Sequence, residues 1–243
     1  MSGMEYSAWA QSLVRHLNLR WSPVAVKLFR AGEELPVGVK EPSIPLRHCQ
    51  SIVTARKGKT FLMPVRKHAC PDGGSVLGLM DLPAKLKDGR MYLTFQKVNS
   101  AATAEKMVAA RPHLPAQSSV ATLVGPLTDD FPVVADVAAI SVNPEQAMWI
   151  LCAASFFSGE RHNLNLSGFN AICVDVTLLP YQTGKLNLSF ACYGCRAVSD
   201  FADDELMVGV PMPLLPEIVQ GIEELSRKAI PEARNKIYMP PFV

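Results

Sequence analysis

The sequence predicts one compact α/β domain over residues 1–243, with a mixed α+β arrangement as its nearest variant. Three observations lead there. Hydrophobic residues make up 49% of the chain and charged residues 19%, enough apolar side chain to bury a sizeable core. Helical spacing and strand-like runs follow one another from end to end. No Gly/Ser-rich, Pro-rich or low-complexity stretch is long enough to mark a linker between two domains.

The elements follow in order. Tyr6, Trp9, Leu13 and Leu17 fall at helical intervals. Val24–Phe29 is a β-rich run closed by Gly32, and a connector with Pro36, Pro42 and Pro45 leads to a short helix over Cys49–Ala55 that stops at Gly58. Thr60–Met63 predicts a returning strand, Met91–Phe95 another, and Ala101–Ala110 a helix ending before Pro112. Val120–Leu127 predicts a strand, and Val133–Val142 is so continuously apolar that it predicts a strand covered on both faces. Asn143-Pro144-Glu145-Gln146 combines a capping residue, proline at the first helical position and Gln three residues after the cap, so a helix should run from there to about Phe157. Short strands are predicted around Leu164–Leu166, over Val174–Leu179 and over Leu186–Ala191, and a final helix along Leu215, Ile218, Val219, Ile222 and Leu225.

Strand, helix, Gly58, short strand and Cys70 are echoed by strand, helix, Gly159, short strand and Cys173. The pattern suggests a weak internal duplication that pairs Cys70 with Cys173.

Charge excludes some functions. Lys and Arg total 24 against 22 Asp and Glu, a net charge of +2, so no concentrated basic surface points to nucleic acid. The longest apolar run, Ala147–Phe157, is broken by Ser155 and falls short of the roughly 20 residues of a membrane span. Met1–Tyr6 shows no basic start followed by an apolar stretch, so the expected location is the cytoplasm. Thiols stay reduced there, so the six cysteines are read as metal ligands, reactive groups or core residues rather than disulfides.

Cys192-Tyr193-Gly194-Cys195 has the two-residue gap that lets two sulfurs face one centre, suited to zinc, an iron–sulfur cluster or a dithiol. Cys70-Pro71-Asp72-Gly73-Gly74 joins a thiol to a proline without an N–H and to glycines whose amides can approach sulfur; a Gly-rich turn before a helix is the plain alternative. In Arg47-His48-Cys49-Gln50 the thiol stands at a helix start, where the free N–H groups should lower its pKa. Cys173 and Cys152 sit among apolar neighbours and look like core. His48 and His68 adjoin candidate cysteines, which keeps a mixed Cys/His zinc site open. Gly58-Lys59-Thr60 lacks the earlier P-loop glycine, since Val53 stands in its place, and no G-x-S-x-G or H-E-x-x-H occurs.

These cysteine contexts, with Pro23–Lys27, Leu77-Gly78-Leu79, Asn143–Met148, Ala171-Ile172-Cys173 and Glu205–Pro211, resemble the domain-of-unknown-function family 169 over about residues 23–211. The resemblance implies an anaerobic type of metabolism without naming a substrate. It singles out Cys49, Cys70, Cys173 and Cys192, holds Cys195 in reserve, and leaves Cys152 aside. Four thiols in four motifs match the ligand count of a [4Fe–4S] cluster, with the Gly73 and Gly74 amides and Arg196 as supports for its charge. The expectation is therefore a cluster-binding protein, as an iron–sulfur oxidoreductase or cluster-dependent enzyme. Its partners would be a small-molecule substrate or an electron-transfer protein, with no nucleic acid or membrane; homo-oligomer formation stays open. Structural zinc on Cys49, Cys70, Cys192 and Cys195 is one alternative. A metal-free small-molecule binding or regulatory protein is the other.

Overall fold

The computed structural model describes residues 5–236, so the Met1–Met4 part of the N-terminal reading lies outside the described residues. The chain runs α1 (Tyr6–Leu17), β1 (Val24–Arg30), α2 (His48–Ala55), β2 (Phe61–Pro64), α3 (Pro71–Val76), α4 (Ala84–Lys87), α5 (Arg90–Thr94), α6 (Ala101–Ala109) and β3 (Ser119–Pro126). It continues through β4 (Val137–Val142), α7 (Pro144–Ser155), a π-helix (Ile172–Leu178) that passes into α8 (Leu179–Thr183), β5 (Asn187–Ser189), α9 (Tyr193–Val198), β6 (Leu206–Pro211), α10 (Leu215–Leu225) and α11 (Ala229–Arg234). This is the expected mixed α/β domain, built on one antiparallel sheet of six strands ordered β2-β3-β1-β4-β6-β5.

The central strands alternate, and each face has its own cover. Ala25, Phe29, Leu123, Ala138, Ile140 and Val208 turn toward α1, α7 and α10. Val24, Val26, Val124, Val137, Ala139 and Met207 turn toward α2 and the π-helix. Two buried faces explain the unbroken apolar run of β4 although its neighbours are antiparallel. The helix after Asn143 starts as predicted: Gln146 N–H donates to Asn143 Oδ1 at 2.9 Å and Asn143 N–H to Gln146 Oε1 at 2.8 Å.

Five expectations are corrected. Val174–Leu179 is not a strand; it lies in the π-helix and the start of α8, buried at every position up to Leu178, so its apolar run carried no usable period. Met91–Phe95 falls mainly in the short helix α5. Leu164–Leu166 forms no regular element, and the predicted strand from Val133 begins only at Val137. The duplication is also phased differently. Outward from the β1–β4 pair, β3 answers β6 and edge strand β2 answers edge strand β5. The cysteine after β2 is Cys70 and the cysteine after β5 is Cys192, so Cys192 is the counterpart of Cys70 in place of Cys173. The helices do not share the repeat, because α2 and α7 cover opposite faces.

One close approach fixes the second layer. A Cβ on Gly209 of β6 would overlap the Val176 carbonyl, so glycine lets the π-helix lie directly on the sheet. That contact sets the depth of Cys173.

Candidate functional site

Five cysteines meet on the α2 face of the sheet. Cys49, Cys70, Cys173, Cys192 and Cys195 line one cavity of about 100 Å³. Cys152 is exposed on α7, against the other face, and takes no part.

Each thiol is placed by a helix end. Arg47 stays extended, and its N–H donates to Gln50 Oε1 at 2.9 Å, which sets Cys49 as the second residue of α2. Cys70 caps α3, and its sulfur accepts the Gly73 N–H at 3.4 Å. Cys173 is the second residue of the π-helix. Cys192 caps α9 and Cys195 lies three residues on, fully buried, so the C-x-x-C pair is presented by a helix start rather than a free turn. A Cβ on Gly73 would come within 2.7 Å of Cys173 Sγ, so glycine keeps the space over that sulfur clear.

The electrostatics run against the helix-start expectation for Cys49. Its thiol is held well above the ordinary value, first by the hydrogen bond it makes with Cys195 and then by burial. The same bond lowers Cys195, which is the better thiolate of the two. Burial also raises Cys70, opposed by the Gly73 amide, and raises Cys173 strongly, with Cys70 adding to it. The sulfurs sense one another, so several negative charges together need a cation to balance them.

The supporting residues differ from those expected. Gly73 lines the cavity, whereas the Gly74 amide is spent on the Cys70 carbonyl at 2.8 Å. Arg196 does not line it. Its guanidinium donates to the carbonyls of Phe190, Ala202 and Glu205 and stacks on Phe201, clamping the loop before β6. Arg47 and Lys97 supply the cationic wall instead. Tyr92 and Phe169 close the outer side, with Tyr92 OH donating to Asp72, which is ion-paired to Arg111. Lys97, Tyr92 and Phe169 carried no signal in the sequence, because the segments bearing them are brought in only by folding. The Arg47 side chain was passed over in favour of its neighbours His48 and Cys49.

His48 and His68 leave the mixed Cys/His site without support, since neither lines the cavity. Both are buried, His48 as the first residue of α2 and His68 with its ring facing that of His48. His48 Nε2 lies 2.9 Å from Thr177 Oγ1, and His68 Nε2 lies 3.0 Å from the Met63 carbonyl oxygen, to which it donates.

Among the described residues, no group of three or more His, Cys, Asp and Glu side chains is drawn together as a ready-made site for a metal ion. The donor chemistry is nevertheless all thiol on the cavity wall, with a backbone N–H on one sulfur and two cations beside it. By ligand type and number that set suits a soft, thiolate-bound metal centre.

No helix among the described residues is long and apolar enough to cross a membrane. No solved structure matches the chain. A curated protein of Methanocaldococcus jannaschii, described as uncharacterised, is 29% identical over 220 residues, covering 90% of this chain and 94% of the relative. The DUF169 family, described as "Uncharacterised ArCR", matches residues 12–221, nearly the whole of the two-layered core and all five cavity cysteines. The chain belongs to the DUF169 family.

Proposed function

We propose that this protein binds an iron–sulfur cluster of the [4Fe–4S] kind among its cavity thiols and works in the cytoplasm in a redox or cluster-assisted reaction. The observation that carries the reading is the convergence of Cys49, Cys70, Cys173, Cys192 and Cys195, from four separate segments, on one cavity. Such a cluster takes four thiolates, so the set has one to spare, and Cys49 and Cys195, which push each other's pKa in opposite directions, are the natural alternates for one position. When bound, the cluster would supply a one-electron carrier, or a Lewis acid if one iron lacks a thiolate. The chain's own part is to orient the sulfurs by helix starts and to donate the Gly73 N–H to Cys70. Arg47 and Lys97 offset negative charge, and Tyr92, Phe169 and Ile172 limit water. A small-molecule substrate or an electron-transfer protein would meet the site from the Lys97 side.

Anaerobic purification, followed by reconstitution with iron and sulfide, tests this. The expected result is a brown protein holding roughly four iron and four sulfide per chain. Cys70→Ser and Cys173→Ser should lose most of the iron, and Cys152→Ser should keep it. A colourless protein with neither element after reconstitution overturns the reading, and one zinc per chain replaces it with the zinc site.

A further inference from the structure

A second cavity, of about 240 Å³, lies beside the thiols and shares Tyr92, Phe169 and Asn170 with them as a common wall. Its other boundaries include Asp175 of the π-helix and Arg111, which follows α6. These two side chains are unusual for the same reason. Asp175 is 1% exposed; its Oδ2 accepts from Ser189 Oγ at 3.2 Å, while Oδ1 has no hydrogen-bond partner. The Arg111 side chain is 9% exposed; it is ion-paired with Asp72 and donates to Ser75 Oγ at 3.1 Å, while its Nε–H has no partner. Most buried polar atoms are paired, because one left unpaired forfeits its hydration with nothing in return. Here one acceptor and one donor are left over on residues that bound the same space.

We infer that this cavity is a binding site for a small neutral organic molecule of the carboxamide or lactam class, held between Asp175 and Arg111 beside the thiol cavity. The ligand must bring a donor for the Asp175 oxygen and an acceptor for the Arg111 N–H, and an amide group carries both. Neutrality follows from the surroundings. The Arg111 charge is already met by Asp72, so a carboxylate ligand would find no free cation and would face Asp175. The rest of the wall favours an apolar or aromatic body: Met107, Val108, Leu166 and Val174 line it, and Tyr92 and Phe169 stand edge to face with centroids 6.1 Å apart. The inference does not depend on what the thiols hold.

Benzamide is a suitable probe, with benzoate and benzylamine as the matched acid and amine. Calorimetry and ligand-observed NMR are run on metal-free protein and on protein as purified. Saturable benzamide binding is expected in both, at least about tenfold stronger than for either comparator. Asp175→Ala should weaken it by about tenfold or more. That variant alters a buried position, so a second one guards against misfolding. Ala110→Phe adds a ring at an exposed position of the cavity lining and leaves Asp175 and Arg111 themselves unchanged; it should abolish binding while leaving the unfolding midpoint in place. No saturable binding to the unaltered protein overturns the inference. So does binding that survives Ala110→Phe, or equal binding of benzoate or benzylamine.

Discussion

Mild acid should destabilise the protein at the start of α2, through His48 and His68. Their rings lie 6.3 Å apart at centroids, both buried, and His48 Nδ1 has no partner. Burial pushes His48 down to about 3, helped by the charge of His68, and pushes His68 down to about 4. In the unfolded chain each titrates at about 6.5. Both are therefore neutral in the native state and take up a proton on unfolding. Their stabilising contribution is complete above the unfolded value and is lost as pH falls toward the folded values. Between about pH 7 and about pH 5 each histidine accounts for a loss of about 2 kcal/mol, roughly 4 for the pair. Asp175, whose carboxyl burial pushes up to about 7, works in the opposite sense over the same interval and offsets part of this. The decisive measurement is thus a difference. Urea unfolding of the metal-free protein and of His48→Gln and His68→Gln, at both pH values, should show each substitution flattening the pH dependence by about 2 kcal/mol. If a variant keeps the slope of the unaltered protein, the rings are not held neutral by burial and the reasoning fails.

Three further outcomes are expected. Gly209→Ala drives a methyl group into the Val176 carbonyl, which cannot swing aside as a side chain can, so it should cost about 3 kcal/mol by denaturant unfolding and, on the cluster proposal, lower the iron content after reconstitution. Glu205→Ala leaves Arg56 without its carboxylate at a side chain 2% exposed, and should cost about 3–5 kcal/mol; a loss under about 1 kcal/mol would mean the pair is hydrated in solution. Under native conditions a small alkylating reagent should label Cys152 first, since it is exposed while Cys49, Cys173 and Cys195 are buried; mass spectrometry finding Cys49 or Cys173 labelled first would show that the cavity opens readily.

Some of the molecule could be read directly from its residues, and particular segments show why. The helix after Asn143 announced itself because a cap, a proline and a returning glutamine are contacts within one turn. The strands β1, β2 and β3 were visible from β-rich runs bounded by turn residues. Val174–Leu179 misled for the opposite reason. Every position from Ile172 to Leu178 is buried, so no polar face marks the helical pitch, and Val and Thr favour a strand where nothing else decides. Strand β6 passed unnoticed as a strand, although its sequence had been singled out, because its six residues are interrupted by Gly209 and end at Pro211, two residue types that strands disfavour.

The site divides along the same line. Which thiols line the cavity was foreshadowed in part by their immediate neighbours: proline and glycine after Cys70, the two-residue gap from Cys192 to Cys195, the helix start at Cys49; Cys173, among apolar residues, read as core and was singled out only by the family resemblance. That they share a cavity depended on long-range order. The Cys49 helix follows β1, Cys70 and Cys192 follow opposite edge strands, and Cys173 is seated by a glycine on β6 some distance away in the chain. The thiol pKa values turned on that assembly as well, since sulfur beside sulfur in a buried space outweighed the helix-start field at Cys49. Local pattern records what a residue asks of its neighbours along the chain. Who stands across the cavity is settled when six strands choose their order and the helices are pressed onto the sheet, because those contacts join segments that no short stretch of sequence contains together.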